Sequence, residues 1–191
     1  EQQRIDKEIR RMNRVIGEML HYSNLDTAQQ PKKRLVRIDR LLQEIAGDEE
    51  LEAAAHHCTL SVQSESGLTV VGDPELLRSC FENVIRNSIR YTREDSTVEI
   101  TAREATGESD DARHIVVNIA DRGPGVAPEH LDKIFEPWFR VASGGHHKDS
   151  TGLGLAIVKR VLKLHDGQVQ ASQRSGGGLQ IHISLPAADM S

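Results

Sequence analysis

Ile115-Val116-Val117-Asn118-Ile119-Ala120-Asp121-Arg122-Gly123-Pro124-Gly125-Val126 is the stretch on which the fold turns. It opens as an apolar, β-branched run, the composition of a strand with a buried face. It closes on a carboxylate and a Gly-Pro-Gly turn, where glycine tolerates positive φ and lets a ligand approach the backbone. A carboxylate at a strand end can accept a hydrogen bond from an exocyclic amine, such as the adenine 6-amino group. A plain turn would look the same, so the segments on either side decide.

Downstream, Thr151-Gly152-Leu153-Gly154-Leu155-Ala156-Ile157-Val158 runs a glycine-rich loop straight into an apolar helix. Exposed N–H groups at a helix start form a phosphate site, and glycines remove side chains that would block it. The stretch is not a Walker loop, because the Gly-Lys-Ser/Thr ending is missing. It is not a Rossmann fingerprint either, because no second strand follows on schedule. Between the two loops lie Ile134-Phe135-Glu136-Pro137-Trp138-Phe139-Arg140 and the polar run Ser143 to Ser150. An aromatic anchor followed by a polar, glycine-containing stretch suits a lid, with Arg140 and Lys148 as candidate phosphate contacts. His146-His147 and His56-His57 read as solvated pairs, since no partner cluster stands near either.

Upstream, Asp73-Pro74 gives an N-cap followed by proline at the first helical position, predicting a helix through Tyr91. Leu77, Phe81, Val84, Ile85 and Ser88 form its core face, while Asn83, Asn87 and Arg90 share another side. An asparagine oxygen there could serve Mg²⁺, which keeps most of its waters and phosphate oxygens and needs few protein ligands.

The remaining pattern mixes strands and helices. Ile5, Ile9, Met12, Ile16 and Met19 alternate at spacings of four and three, the seam of a helix packed in a bundle or across a dimer. A polar linker from Asp26 to Lys33 follows, then a strand at 35–38 and a helix capped by Asp39 and carrying Leu41, Leu42 and Ile45. Strands are expected at 59–63, 68–71, 97–103, 115–120, 168–173 and 179–185, a short helix near 129–135, and a helix from Leu153. Without regular βαβ alternation this is an α+β sandwich with helices on one sheet face.

Composition narrows the classes. Of 191 residues, 37% are hydrophobic and 28% charged, an ordinary globular balance. No apolar run approaches the roughly 20 residues that span a bilayer. Glu1 in place of an initiating methionine suggests a piece of a longer protein. Cys58 and Cys80 have no metal-like spacing and read as reduced thiols. Residues 1–40 hold ten Lys/Arg against six Asp/Glu, and the rest 14 against 23. A basic leading helix on an acidic body does not describe a nucleic-acid-binding surface.

In this order the segments resemble the N, G1, F and G2 boxes of the sensor histidine kinases of bacterial two-component systems, most similar to the Cpx/EnvZ-like class. Asn83 to Tyr91 is similar to the N box, Asp121 to Gly125 to G1, Ile134 to Arg140 to the F box, and Gly152 to Leu155 to G2. The resemblance covers residues 35–186 and implies a Bergerat-type (GHKL) sandwich as the catalytic ATP-binding domain, placed at 35–191. Residues 1–25 would be the second helix of the dimerisation and phosphotransfer hairpin, with 26–34 as linker. The resemblance implies ATP and Mg²⁺ as ligands, with Asn87 on the metal and Asn83, Arg90 and Tyr91 along the same wall. Asp121 would read the adenine amine over Gly123, Gly125 and Val126, with Phe135 in the adjoining anchor. Arg140 would act catalytically at the γ-phosphate, and Thr151, Gly152, Leu153, Gly154 and Leu155 would hold the phosphates. The implied partners are a response-regulator receiver domain and a second copy through the hairpin helix, in the cytoplasmic portion of an inner-membrane sensor. Neither nucleic acid nor direct membrane contact is implied for this segment.

One departure matters, and two are smaller. The phosphoacceptor box, a histidine followed by an acidic residue and an Arg-Thr-Pro-like run, is not in this chain, and His21 in His-Tyr-Ser-Asn does not match it. By itself the chain is expected to bind nucleotide and to transfer nothing in cis. Trp138 and Ser88 replace residues more usual in the family. The same ATP site serves gyrase, Hsp90 and MutL ATPases, which carry a glutamate base one turn before the metal asparagine. That position here is Asn83, which favours transfer over hydrolysis. A nucleotide-binding pseudokinase or regulator-binding module is the non-enzymatic alternative.

Overall fold

The computed structural model describes residue 12, residues 15–20, 22–23, 25, 31–106, 112–141 and 151–189. Five strands form a mixed sheet in the order β2-β4-β5-β7-β6: β2 (Cys58–Ser64), β4 (Ser96–Thr106), β5 (Arg113–Ala120), β6 (Gln168–Gln173) and β7 (Leu179–Pro186). Only β2 and β4 pair in parallel; the other three ladders are antiparallel. A separate antiparallel ribbon joins β1 (Arg34–Arg37) to β3 (Thr69–Gly72). Three helices, α1 (Ile38–Ala55), α2 (Pro74–Tyr91) and α3 (Gly154–Leu164), cover one face of the sheet.

The strand alternation explains the layering. Along β5, Ile115, Val117 and Ile119 are fully buried, and along β7 Ile181, Ile183 and Leu185 are too. They meet Leu42 and Ile45 of α1, Phe81 and Ile85 of α2, and Ile157 and Val161 of α3 in one core. The opposite face is polar: Asn118 lies directly across from His182, whose Nδ1 is 2.6 Å from the Asn118 oxygen and whose Nε2 is 2.8 Å from the Ser172 hydroxyl. This is the period-2 signature of a sheet with one face packed and one wet.

The expected core face of α2 is buried in full, from Leu77 through Ser88 and Ile89. Asp73 caps the helix, its Oδ1 accepting from the N–H groups of Glu75 and Leu76 at 3.1 and 3.2 Å. Two expectations need correction. Asp39 does not cap α1: the helix starts one residue earlier, and no side chain caps it. The Asp39 carboxylate instead pairs with Arg37 at 2.8 and 2.6 Å and accepts the Gly67 N–H at 3.2 Å, tying α1 to the β2–β3 turn. Its buried partnership with Arg37 holds its pKa below the ordinary carboxylate value. The short helix near 129–135 is two 3-10 turns, Pro128–His130 and Lys133–Phe135, separated by Leu131 and Asp132. Cys58 and Cys80 are both buried thiols, and burial pushes the pKa of Cys80 well up.

α2 and α3 run in opposite directions, and a buried histidine joins their ends. His165, just past α3, bonds back to the Val161 carbonyl through Nδ1 at 2.7 Å, and its Nε2 accepts the Asp73 N–H at 2.9 Å. Gly72 has no room for a Cβ there, which would lie 2.7 Å from the His165 ring. The linker fastens to the same corner: the Lys32 N–H donates to Asp73 Oδ2 at 3.0 Å, and Lys33 lies 3.7 Å from Asp166.

Residues 12, 15–20, 22–23 and 25 are helical. Leu25 is buried in the core with Tyr22 packed against it, whereas Met12, Ile16 and Met19 stay exposed. The helix thus turns one stripe toward the sandwich and another, the seam, outward. Ile5 and Ile9 of that seam lie outside the described residues.

Candidate functional site

The sheet sets the first wall. β5 ends at Ala120 and delivers Asp121, which is 4% exposed although ionisable. Its backbone N–H donates to the Leu179 carbonyl at 2.9 Å. Its Oδ1 accepts the N–H groups of Gly123 and Leu179 at 2.8 and 3.1 Å. The hydrogen bonds of this carboxylate to the described residues all fall on Oδ1, leaving Oδ2 for a donor from outside. Burial pushes the Asp121 pKa up, and the two backbone N–H groups and the charge of Arg174 oppose that shift.

Glycines are required here for space. A Cβ on Gly123 would lie 2.3 Å from the Tyr91 carbonyl oxygen, and one on Gly178 would lie 2.1 Å from the Asp121 carbonyl oxygen. Real contacts never come so close. The turn after Asp121 therefore sits directly on the end of α2, and the β6–β7 turn packs beneath it. Thr92, which ends α2, accepts the Arg122 N–H at its hydroxyl at 3.0 Å and completes the joint.

α2 sets the second wall. Asn83 and Asn87, one turn apart and half-buried, face the same side. The Asn83 amide donates to the Ser79 carbonyl at 2.8 Å, so its oxygen turns outward from its own helix. That oxygen points to α3: a Cβ on Gly154 would lie 2.9 Å from it. Arg90 and Tyr91 follow on the same helix, with Tyr91 at the joint with Gly123.

The third wall is the start of α3. Gly152 has φ +76 and packs against Trp138 and Phe139, and its carbonyl accepts the Trp138 N–H at 2.9 Å. Trp138 is itself at φ +66, an uncommon conformation for a bulky residue. The Trp138–Gly152 contact joins the aromatic anchor to the glycine loop, with Ile134 and Phe135 buried behind it. The Thr151 hydroxyl lies 3.2 Å from the Leu153 N–H and bonds Glu18 of the leading helix. Leu153 is fully buried, which anchors the loop at the helix start. Arg140 is exposed. Ser143 to Ser150, with Lys148 and His146-His147, lie outside the described residues.

The expected residues thus come from three adjoining segments: the turn after β5 meets the end of α2 at Gly123 and Tyr91, and the start of α3 meets α2 at Gly154 and Asn83, while Phe135 belongs to the core. Sequence reasoning missed Arg174, Glu99 and Arg122, whose charges interlock beside Asp121, and Glu18 at Thr151. Apart from Arg122, inside the Asp121 to Gly125 stretch, no motif marks them; register and turn geometry bring them together. Glu82, the only carboxylate beside Asn83 in sequence, is not at the cleft. It lies 3.6 and 3.8 Å from Arg78 and Arg86, in the ion-pair network between α1 and α2.

Residues 72–189 match the family model described as histidine kinase-, DNA gyrase B-, and HSP90-like ATPase. The chain is 31% identical over 188 residues to the sensor histidine kinase CpxA of Escherichia coli K12, covering 97% of this chain and 39% of that protein. It is 30% identical over 182 residues to the sensor protein kinase WalK of Staphylococcus saprophyticus, covering 94% of this chain and 29% of that protein. Among solved structures, full-length ShkA in complex with AMPPNP superposes with a TM-score of 0.78 at 27% identity, covering 93% of this chain and 36% of that one. The mycobacterial sensor histidine kinase MprB superposes with a TM-score of 0.69 at 25% identity, covering 83% of this chain and 99% of that one. The chain therefore spans less than half the length of these curated relatives.

Proposed function

The chain belongs to the histidine kinase-, DNA gyrase B-, and HSP90-like ATPase family, and from that premise we propose that it is the ATP-binding catalytic portion of a sensor histidine kinase. It would hold Mg-ATP and pass the γ-phosphoryl to a hairpin histidine, which a response-regulator aspartate then accepts. The observation that carries this reading is that no carboxylate stands one turn before Asn87, where Asn83 lies, and that Glu82 pairs with Arg78 and Arg86 instead. A hydrolase needs a base to orient water. Here the position one turn before Asn87 is the amide Asn83, and the carboxylate next to it, Glu82, is held in ion pairs with Arg78 and Arg86. Transfer to a nucleophile brought by another segment is what remains.

The residues present fit the ligands. Asp121 offers Oδ2 to the adenine amine, beside the turn that carries Gly123 and Gly125. The Asn87 oxygen would hold Mg²⁺, which supplies neutralisation of phosphate charge when bound. Gly152 to Leu155 would take phosphate oxygens on backbone N–H groups, and Arg140 would meet the γ-phosphate. Residues 1–25 would be the second hairpin helix, with 26–34 as linker and 35–191 as the catalytic domain. The exposed seam of Met12, Ile16 and Met19 suits a dimer. Among the described residues no helix is long and apolar enough to cross a membrane; in the whole protein this portion would lie on the cytoplasmic side.

The test combines binding and transfer. Mg-ATP should bind the wild type, and a separate hairpin carrying the phosphoacceptor histidine should be phosphorylated in trans. Binding without any transfer would favour a pseudokinase, and steady ATP hydrolysis without a hairpin would favour the ATPases.

A further inference from the structure

We propose that Arg174, clamped by Glu99 under the backbone of Asp121, is a positioning residue that sharpens recognition of the exocyclic amine on a bound purine. The inference rests on the adenine reading of Asp121 above and deepens it.

Arg174 opens the β6–β7 turn. Its N–H donates to the Gly178 carbonyl at 3.0 Å, and its carbonyl accepts the Gly177 N–H at 3.1 Å. From there the side chain, only 13% exposed, crosses to β4. Nη2 reaches both Glu99 oxygens at 2.8 Å, while Nη1 donates to the Asp121 carbonyl oxygen at 3.3 Å. Arg122, the residue after Asp121, donates to the same Glu99 at 3.0 Å. Glu99 is directly across from Ala120 in the β4–β5 ladder. One carboxylate thus ties the residue following Asp121 to the turn packed beneath it.

The consequence is geometric. The Asp121 N–H is held by Leu179, its carbonyl by Arg174 with Gly178 pressed against it, and its Oδ1 by two backbone N–H groups. All of these but the Gly123 N–H lie on β7 or in the β6–β7 turn, so the direction of Oδ2 depends on where the β6–β7 turn sits. Hydrogen bonds weaken steeply with angle, so a small rotation of this carboxylate would blunt amine recognition while leaving the cleft intact. An isolated surface ion pair adds little, but a guanidinium whose Nη2 holds Glu99 and whose Nη1 holds the Asp121 carbonyl forks between the two and fixes geometry. The positive charge of Arg174 also favours the ionised, accepting form of Asp121 against its burial.

The experiment compares the affinity of Mg-ATP with that of the Mg complex of purine riboside triphosphate, which lacks only the 6-amino group. The preference for ATP should fall about five-fold in Arg174→Met, the scale of a misaligned hydrogen bond to a charged group. Arg174→Lys should retain part of it, keeping the charge but losing the fork. Glu99→Ala should lower it as well, because the clamp loosens. Affinity for the analogue should stay unchanged throughout. Equal weakening of both ligands, or an intact preference, would overturn the proposal. If Arg174→Met loses its near-UV circular dichroism, Glu99→Ala carries the same test. Asp121→Asn separates the two levels: a preference lost there but kept in the Arg174 and Glu99 variants sinks only the positioning role. A preference kept in Asp121→Asn sinks the adenine reading and this inference with it.

Discussion

The two ends of the cleft are built by different means. At the end proposed to read adenine, Asp121 is held on its N–H, carbonyl and Oδ1 by β7, the β6–β7 turn and its own Gly-Pro-Gly turn. At the end proposed to take phosphate, the start of α3 is held by a loop contact between Trp138 and Gly152 at positive φ, and by Thr151 bonded to Glu18. One end is braced by a sheet ladder that cannot slip without flipping a whole strand. The other is braced by turns and by a helix from outside the sandwich. The Asp121 end is therefore held by the sheet, and the start of α3 by contacts from outside it.

That contrast can be broken most forcefully at Gly178. Its φ of +112 and the 2.1 Å approach to the Asp121 carbonyl leave no place for a methyl group. Gly178→Ala should lower unfolding free energy by about 3 kcal/mol in urea titrations, since strain and overpacking add. The matching change at the phosphate end, Gly152→Ala, meets contacts of 3.0 Å and should cost about half as much. Equal losses would remove the asymmetry.

Asp121→Asn comes next. It keeps an oxygen for Gly123 and Leu179 but turns an amide donor toward the adenine amine. Mg-ATP affinity should fall about 30-fold, as expected when a charged hydrogen-bond acceptor is lost, with the fold retained by circular dichroism. Asn87→Ala should weaken Mg-ATP about ten-fold while leaving nucleotide binding in EDTA unchanged. Equal Mg-dependence in the variant and the wild type would remove Asn87 from the metal.

The corner behind both ends has its own signature. Burial holds the His165 pKa below its ordinary 6.5, with Lys33 adding to that shift and Asp73 and Asp166 opposing it. A depressed folded value means that the neutral ring stabilises the fold above pH 6.5, and that this contribution disappears as pH falls through the folded value. The thermal midpoint should therefore decline as pH falls from 6.5 toward the folded value, with a slope that His165→Gln flattens. The smallest effect is expected at Glu18, whose pairing with Thr151 is partly exposed. Glu18→Gln should change Mg-ATP affinity less than about two-fold by calorimetry. A larger change would place the phosphate end under direct control of the leading helix.

Much of the fold was legible because its signals are local. The period-2 runs at 115–120 and 179–185, the Asp73-Pro74 start and the four-three spacing on α2 all reappear within a residue or two. Asp39 misled because a carboxylate at a helix start can bond its own N–H groups or a partner across space. Here Arg37 and Gly67 win. The 129–135 segment misled because its apolar spacing fits either α or 3-10 geometry over so few residues.

The sequence by itself determined the chemistry at the cleft: an acid at a strand end, two asparagines one turn apart, and glycines at the loops. These are matters of residue type and short spacing, which physics reads within a few positions. Tertiary structure alone decided what orients those groups. Glu99 and Arg174 meet through a sheet register spanning 75 residues. His165 reaches Asp73 across 92, and Thr151 reaches Glu18 across 133. Pairings at such separations depend on which strands neighbour each other and how turns pack. No local pattern encodes that, because any charged residue at those positions would have looked the same in the chain.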